Sequence, residues 1–227
     1  MSGVTPTLDE ERQLIERGYR RLAGIDEAGR GAWAGPVAAA AVVLPPPDPS
    51  LLCRLRGVRD SKLCTPKQRD ELFDLVREVA LAWAVSLVPA PRIDEVGIVA
   101  ATREAMCSAV AQLERSPDAL LIDALPLPSL RIAQRVLIKG DATCLSIAAA
   151  SIVAKVTRDR AMVALDERLP RYGFAGHKGY GTPEHHAALA QLGPTDIHRW
   201  YFAPVADVVH QRGIQSDRPT YRKEEEE

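Results

Sequence analysis

The stretch Gly24-Ile25-Asp26-Glu27-Ala28-Gly29-Arg30-Gly31 decides the reading of this chain: a short apolar run that begins at Arg21 reaches two adjacent carboxylates and leaves through a glycine turn. A run so short and so apolar predicts a strand over 21–26. The run from Pro36 to Leu44 reads as a second, strongly apolar strand, stopped by Pro45-Pro46-Pro47 because proline cannot continue a ladder. Working outward, Thr65-Pro66 opens a helix with the hydroxyl as N-cap and proline in the first turn. Its Leu72, Leu75, Val76, Val79 and Ala80 share one face. Further strands are predicted over 82–88, 119–123 and 135–138, and further helices over 93–113, from Leu145, from Thr182-Pro183 and over 204–210. The helix from Leu145 carries a stripe of alanines that lets it lie close against a sheet. Strands alternating with helices place the chain in the α/β class.

The 227 residues, 46% hydrophobic and 26% charged, suit one large globular domain with a modest extension. No run approaches the roughly 18 apolar residues of a membrane span. Met1–Arg12 is polar and acidic, without a secretory pattern, so a cytoplasmic protein with no membrane partner is expected. Cys53, Cys64, Cys107 and Cys144 form no C-x-x-C pair and are expected to be buried small residues rather than zinc ligands. The net charge of −1 includes Glu224–Glu227, so residues 1–223 carry +3. Residues 131–160 hold six Lys/Arg against Asp141 and Asp159. Such a patch meets phosphates or is a solvated helix face, and composition leaves the partner open.

Carboxylates carry the chemistry. Asp26 and Glu27 are neighbours on a strand, where successive side chains face opposite ways, so both reach one site only where the strand ends or twists. Asp123 closes a second apolar strand, Leu120-Leu121-Ile122-Asp123, and ligands of open α/β sheets collect beyond such strand ends. Asp141 stands between a strand and the long helix. Each also fits a plainer role: a polar strand end before a glycine turn, a solvated strand terminus, a helix cap. Asp159, deep in a helix between two arginines, is expected to make a surface ion pair. Carboxylates from several elements make a poor core but a good site for a hard cation such as Mg²⁺ or Mn²⁺. Two such ions about 3.5–4 Å apart activate a water and stabilise a leaving oxygen. His177, His185, His186, His198 and His210 make no H-E-x-x-H pair, and His185 and His186 read as exposed helix residues. A nucleophile elbow, a Walker A loop and G-x-G-x-x-G are all missing from the sequence. Two polar loops remain. Asp60-Ser61-Lys62 offers a lysine to phosphate, and Gly176–Thr182 sets Tyr180 between two glycines, available for stacking.

Together these residues closely resemble the type 2 ribonuclease H family, ribonuclease HII. The resemblance rests on Gly24–Gly31 (GIDEAGRG), Asp60–Leu63 (DSKL), Leu121–Asp123 (LID) and Lys139–Asp141 (KGD). It continues in Ser146–Lys155 (SIAAASIVAK), His177–Thr182 (HKGYGT) and Gly193–Thr195 (GPT), in the family's order from about residue 20 to 205. It implies a ribonuclease H-like fold, a mixed five-stranded sheet flanked by helices with a helical C-terminal extension. It implies a catalytic domain over 19–212, after a lead-in over 1–18, whose part from about 170 grips the duplex; the acidic tail has no counterpart in the family, and its polar composition predicts disorder over 213–227.

The implied activity is endonucleolytic hydrolysis of RNA paired to DNA, and cleavage 5′ of single ribonucleotides embedded in duplex DNA, by a monomer using Mn²⁺ or Mg²⁺. By motif, Asp26, Glu27 and Asp123 are the metal ligands and Asp141 is the fourth catalytic carboxylate. Gly29, Arg30 and Gly31 sense the ribose 2′-hydroxyl, Tyr180 stacks on the sugar after the junction, and Lys62 contacts phosphate. Gly97 stands where the family often has asparagine, and Asp196 follows Gly-Pro-Thr where proline is usual; both lie outside the acid set. A structure-selective DNA nuclease on the same fold is the rival enzyme. A non-catalytic hybrid binder would lack an acid, and all four are present.

Overall fold

A computed structural model describes residues 5–215, so the acidic run 224–227 and most of the tail expected from 213 onward lie outside the described residues. In chain order the elements are α1 (Asp9–Glu16), β1 (Leu22–Ala28), β2 (Val37–Val43), α2 (Pro49–Arg54), α3 (Pro66–Val79), β3 (Ala82–Val88), α4 (Ala90–Val96) and α5 (Ile98–Ala111). They continue with β4 (Ala119–Asp123), β5 (Ala133–Leu137), α6 (Gly140–Thr143), α7 (Leu145–Arg168), α8 (Phe174–His177), α9 (Pro183–Leu192) and α10 (Ala203–Gln211). The described residues divide into two compact units. One holds 5–28, 38–86 and 103–157; the other holds 29–37, 87–102 and 158–215.

The five strands form one sheet in the order β3-β2-β1-β4-β5, with β1 antiparallel to β2 and parallel to β4, and β4 parallel to β5. This is the mixed five-stranded sheet flanked by helices that the resemblance implies, and α8, α9 and α10 supply its helical C-terminal region. Every residue of β2 is buried, which only a strand covered on both faces tolerates, and its four central alanines leave room for what packs on it. On one face, Ala40 and Val42 meet Phe73 and Val76 of α3 and Ala149, Ile152 and Val153 of α7. The alanine stripe of α7 does lie close: a Cβ on Gly24 would stand 2.1 Å from the Ser146 carbonyl carbon. Any side chain at 24 would push α7 off the sheet. Glu11 of α1, 4% exposed, accepts the Ser146 N–H at 2.9 Å and the Cys144 thiol at 3.2 Å, capping the start of α7.

Several expectations need correction. β1 runs two residues past Asp26, so Asp26 and Glu27 lie inside the strand, not at its end. The helix expected over 93–113 is two, α4 and α5, separated by Gly97 at φ 80°, a positive backbone angle that glycine adopts without side-chain strain. The strand expected over 135–138 is β5, displaced toward the N-terminus. Cys64 and Cys144 are buried as expected, whereas Cys53 on α2 is exposed and Cys107 on α5 is only half-buried. No helix among the described residues is long and apolar enough to cross a membrane.

Candidate active site

In the first unit, β1 and β4 are parallel neighbours with Ile25 opposite Ile122. The next residue on each strand is an aspartate, so Asp26 and Asp123 stand side by side. Asp26 is 4% exposed, opposite Ala40 of β2; Glu27 and Asp123 are half-buried. Asp141 comes from the first turn of α6, just beyond β5, and is buried. Asp26 Oδ1 accepts the Glu27 backbone N–H at 2.7 Å, and Asp123 Oδ1 accepts the Gly140 N–H at 2.7 Å. Asp60-Ser61-Lys62 forms a short 3-10 turn in which Asp60 Oδ1 accepts the Lys62 N–H. That turn sets Lys62 Nζ 3.6 Å from Asp141 Oδ2 and 3.8 Å from Asp60 Oδ1.

The acids share one electrostatic field. Burial, then the charges of Glu27 and Asp123, push the Asp26 carboxyl well above its usual range. Burial, then Asp60 and Asp123, push Asp141 up, and Lys62 partly opposes them. For Lys62, partial desolvation works against the charge, but Asp60, Asp141 and Asp26 outweigh it and raise the ammonium. Two hydroxyls not anticipated from the sequence support this arrangement. Ser151 of α7 hydrogen-bonds Asp26, and its Oγ lies 3.0 Å from the buried Ser61 Oγ. Their signal was the serine that each motif, DSKL and SIAAASIVAK, carries.

The second unit holds the remaining candidates. Gly29 has φ 90°, and a Cβ there would stand 1.8 Å from Arg158 Nε, so glycine is required twice over. The Arg30 carbonyl accepts from Arg199 Nη1 at 2.7 Å. At Gly31 a Cβ would meet nothing within 4 Å, leaving its backbone open to approach. Trp33 N–H donates to the Gly179 carbonyl at 2.8 Å, which packs the residues after Gly31 onto the loop that carries Tyr180. Tyr180 is not short of packing, as its flanking glycines suggest: the Arg158 guanidinium lies 5.1 Å from its ring centroid.

Arg158 and Arg199 are fully buried. Arg158 donates to the carbonyls of Pro36, Lys178 and Ala34, and Arg199 to those of Gly35 and Arg30. Nothing in the sequence marks them apart from surface arginines. His185 is a further correction: it is fully buried, not exposed, against His177, Phe174, Trp33 and His198, whereas His186 is exposed.

Among the described residues no three His, Cys, Asp or Glu side chains converge into a ready coordination sphere. The donor chemistry nevertheless fits a hard divalent cation: the candidate donors are all carboxylate oxygens, and Asp26 bears a repulsion that such an ion would cancel.

A family model for ribonuclease HII matches residues 23–205. The chain is 52% identical to ribonuclease HII of Roseiflexus castenholzii over 223 residues, 96% of this chain and 100% of the relative. It is 53% identical to that of Chloroflexus aggregans over 206 residues, 91% of this chain and 97% of the relative. Its fold is similar to that of ribonuclease H2 from Pyrococcus horikoshii OT3, with a TM-score of 0.72 and 27% identity, covering 86% of this chain and all of that one. The chain belongs to the ribonuclease HII family and is an enzyme of the ribonuclease H class, a metal-dependent hydrolase of phosphodiesters.

Proposed function

We propose that this enzyme hydrolyses the RNA strand of RNA–DNA hybrids and cuts on the 5′ side of single ribonucleotides embedded in duplex DNA, leaving 3′-hydroxyl and 5′-phosphate ends. Such an activity serves ribonucleotide removal and primer removal in the cytoplasm, and a monomer suffices for it. The observation that carries the reading is the pairing of Asp26 with Asp123 on adjacent parallel strands, with Asp141 in the same field.

Asp26, Glu27 and Asp123 would hold Mg²⁺ or Mn²⁺, with Asp141 as the fourth acid. When bound, divalent ions supply an activated water and charge neutralisation at the phosphate. The chain's own residues do the rest. The Gly140 N–H fixes the orientation of Asp123, and Ser151 fixes that of Asp26. Lys62, 78% exposed along its side chain, swings between Asp141 and an incoming phosphate. The open backbone at Gly31 admits the ribose 2′-hydroxyl, the group that separates RNA from DNA. Tyr180 offers a ring face to the following sugar. The domain reading stays with it: a catalytic domain over 19–212 whose part from about 170 grips the duplex.

Incubation with a DNA duplex carrying one ribonucleotide, with and without divalent metal, tests this by mapping the ends. Metal-dependent cleavage 5′ of the ribonucleotide is expected. Equal cleavage of an all-DNA duplex would instead favour a structure-selective DNA nuclease.

A further inference from the structure

Tyr180 rides on backbone that few L-residues adopt, with Lys178 at φ 52° and Gly179 at φ 80°. Histidines hold that loop from beneath. The Gly179 N–H donates to His177 Nδ1 at 3.1 Å, so the proton of that ring is on Nε2, which donates to the Tyr172 carbonyl at 2.7 Å. The Tyr180 carbonyl can only accept, so His185 Nδ1, 3.0 Å away, carries the proton and its Nε2 is an acceptor. His198 Nε2 lies 3.2 Å from that acceptor. His198 Nδ1 in turn accepts the Thr195 N–H at 3.0 Å, which leaves the His198 proton on Nε2, aimed at His185. With each ring neutral, one tautomer apiece satisfies every partner.

The rings are closely packed. His177 stacks on His185 at 4.4 Å and 9°, Phe174 meets His185 edge-on at 5.5 Å, and His185 and His198 have no exposed surface. An apolar side chain would fill this space without the cost of burying imidazole nitrogens. The polar atoms therefore point to a directional task, and the chain they form ends on the carbonyl of Tyr180.

We propose that Thr195, His198 and His185 form a hydrogen-bonded relay that positions Tyr180, making the two histidines positioning residues for recognition of the RNA-to-DNA junction. The proposal rests on the reading above that Tyr180 stacks on the sugar after the ribonucleotide. Nothing in the relay touches substrate. It acts by fixing where the ring stands.

The measured quantity is the ratio of kcat/KM on a duplex with one embedded ribonucleotide to kcat/KM on a continuous hybrid. Loss of folded protein lowers both and cancels from the ratio. His198→Leu and His185→Leu fill the space but cannot relay, and should lower the ratio about threefold to tenfold. His198→Gln returns a donor near Nε2 and should stay within about twofold of the parent, whereas His185→Asn returns only the donor near Nδ1, leaves His198 without its acceptor, and should fall between the parent and the leucine variants. Leucine variants with the parental ratio overturn the relay, and so do glutamine and asparagine variants as damaged as leucine. Tyr180→Ala separates the two ideas. If it keeps the junction preference, the stacking reading itself fails; if it loses the preference while the leucine variants keep theirs, only the relay fails. Imidazole ¹⁵N spectra of the parent protein need no variant to fold: His198 should be protonated on Nε2 and His185 on Nδ1, and the reverse tautomers overturn the proposal.

Discussion

Gly140 donates its backbone N–H to Asp123 Oδ1 at 2.7 Å, and the residue that aims it, Lys139, is held left-handed at φ 57°. That conformation costs a non-glycine residue about 1–2 kcal/mol. Strain therefore sits one residue from the hydrogen bond that orients Asp123, a carboxylate of the candidate active site. Lys139→Gly should relieve it and raise the unfolding free energy by up to about 1 kcal/mol, the extra freedom of unfolded glycine offsetting the remainder. Urea unfolding checks this, and a less stable variant would show that the lysine side chain outweighs its backbone.

Asp26→Asn should abolish cleavage, by about three orders of magnitude or more, because transition-state charge stabilisation worth several kcal/mol is lost with the ligand. Stability without metal should hold or rise, since a buried carboxylate repelled by Glu27 and Asp123 has been neutralised. Added Mn²⁺ should raise the melting temperature of the parent and not that of the variant. Turnover near the parental rate at saturating Mn²⁺ would remove Asp26 from the metal site.

The two glycines of the Gly29-Arg30-Gly31 turn should fail differently. Gly29→Ala places a Cβ on Arg158 at a backbone angle of 90°, and should cost about 1–3 kcal/mol of stability. Gly31→Val meets open space, so the fold should survive while cleavage of an embedded ribonucleotide falls more than binding of plain duplex. Melting curves, turnover and duplex affinity separate the cases, and parallel losses at Gly31 would mean misfolding.

Tyr180→Ala should lose about one to two decades of rate on a single embedded ribonucleotide, the scale of one stacking contact. Tyr180→Phe should keep that activity, because the ring face and its contact with Arg158 remain. Equal damage in both variants would assign the role to the hydroxyl.

Burial, opposed by the Tyr180 carbonyl and reinforced by His177, lowers His185 to about 4. An unfolded histidine takes up its proton near pH 6.5, whereas the folded one stays neutral until about pH 4. The unfolded state thus binds more protons in that window, so this contribution is complete above pH 6.5 and is lost as pH falls toward 4. The full loss is on the order of 3 kcal/mol. Subtracting the pH–stability curve of His185→Asn isolates it from the carboxylates, and a flat difference between pH 6.5 and 4 would refute it.

The strands and the helix starts were legible because they follow local rules. Thr65-Pro66 and Thr182-Pro183 cap their helices by hydroxyl and proline, and Ala82–Val88 and Ala119–Asp123 have the bounds expected. The acids were legible as a motif, and Asp123 also as a strand end. Arg158, Arg199, His185 and His198 were not legible, because their partners are main-chain groups and one another, at separations of up to 169 residues. A backbone carbonyl has no letter in a sequence, so a buried arginine bound to carbonyls reads like any surface arginine. Gly97 split a helix for a similar reason: a single glycine inside a helical pattern signals a break only once its angle is known.

Asp26 and Asp123 each follow one half of the pair Ile25–Ile122, so the gap between their backbones is the repeat distance of a sheet, about 4.8 Å. That gap behaves as a ruler cut into the fold, set by the same hydrogen bonds that hold the sheet rather than by the conformation of any loop. Warming loosens loops and termini long before it parts central strands. The two carboxylates should consequently keep their spacing up to the melting transition, and activity lost below it must come from parts that ride on turns, such as Lys62 and Tyr180.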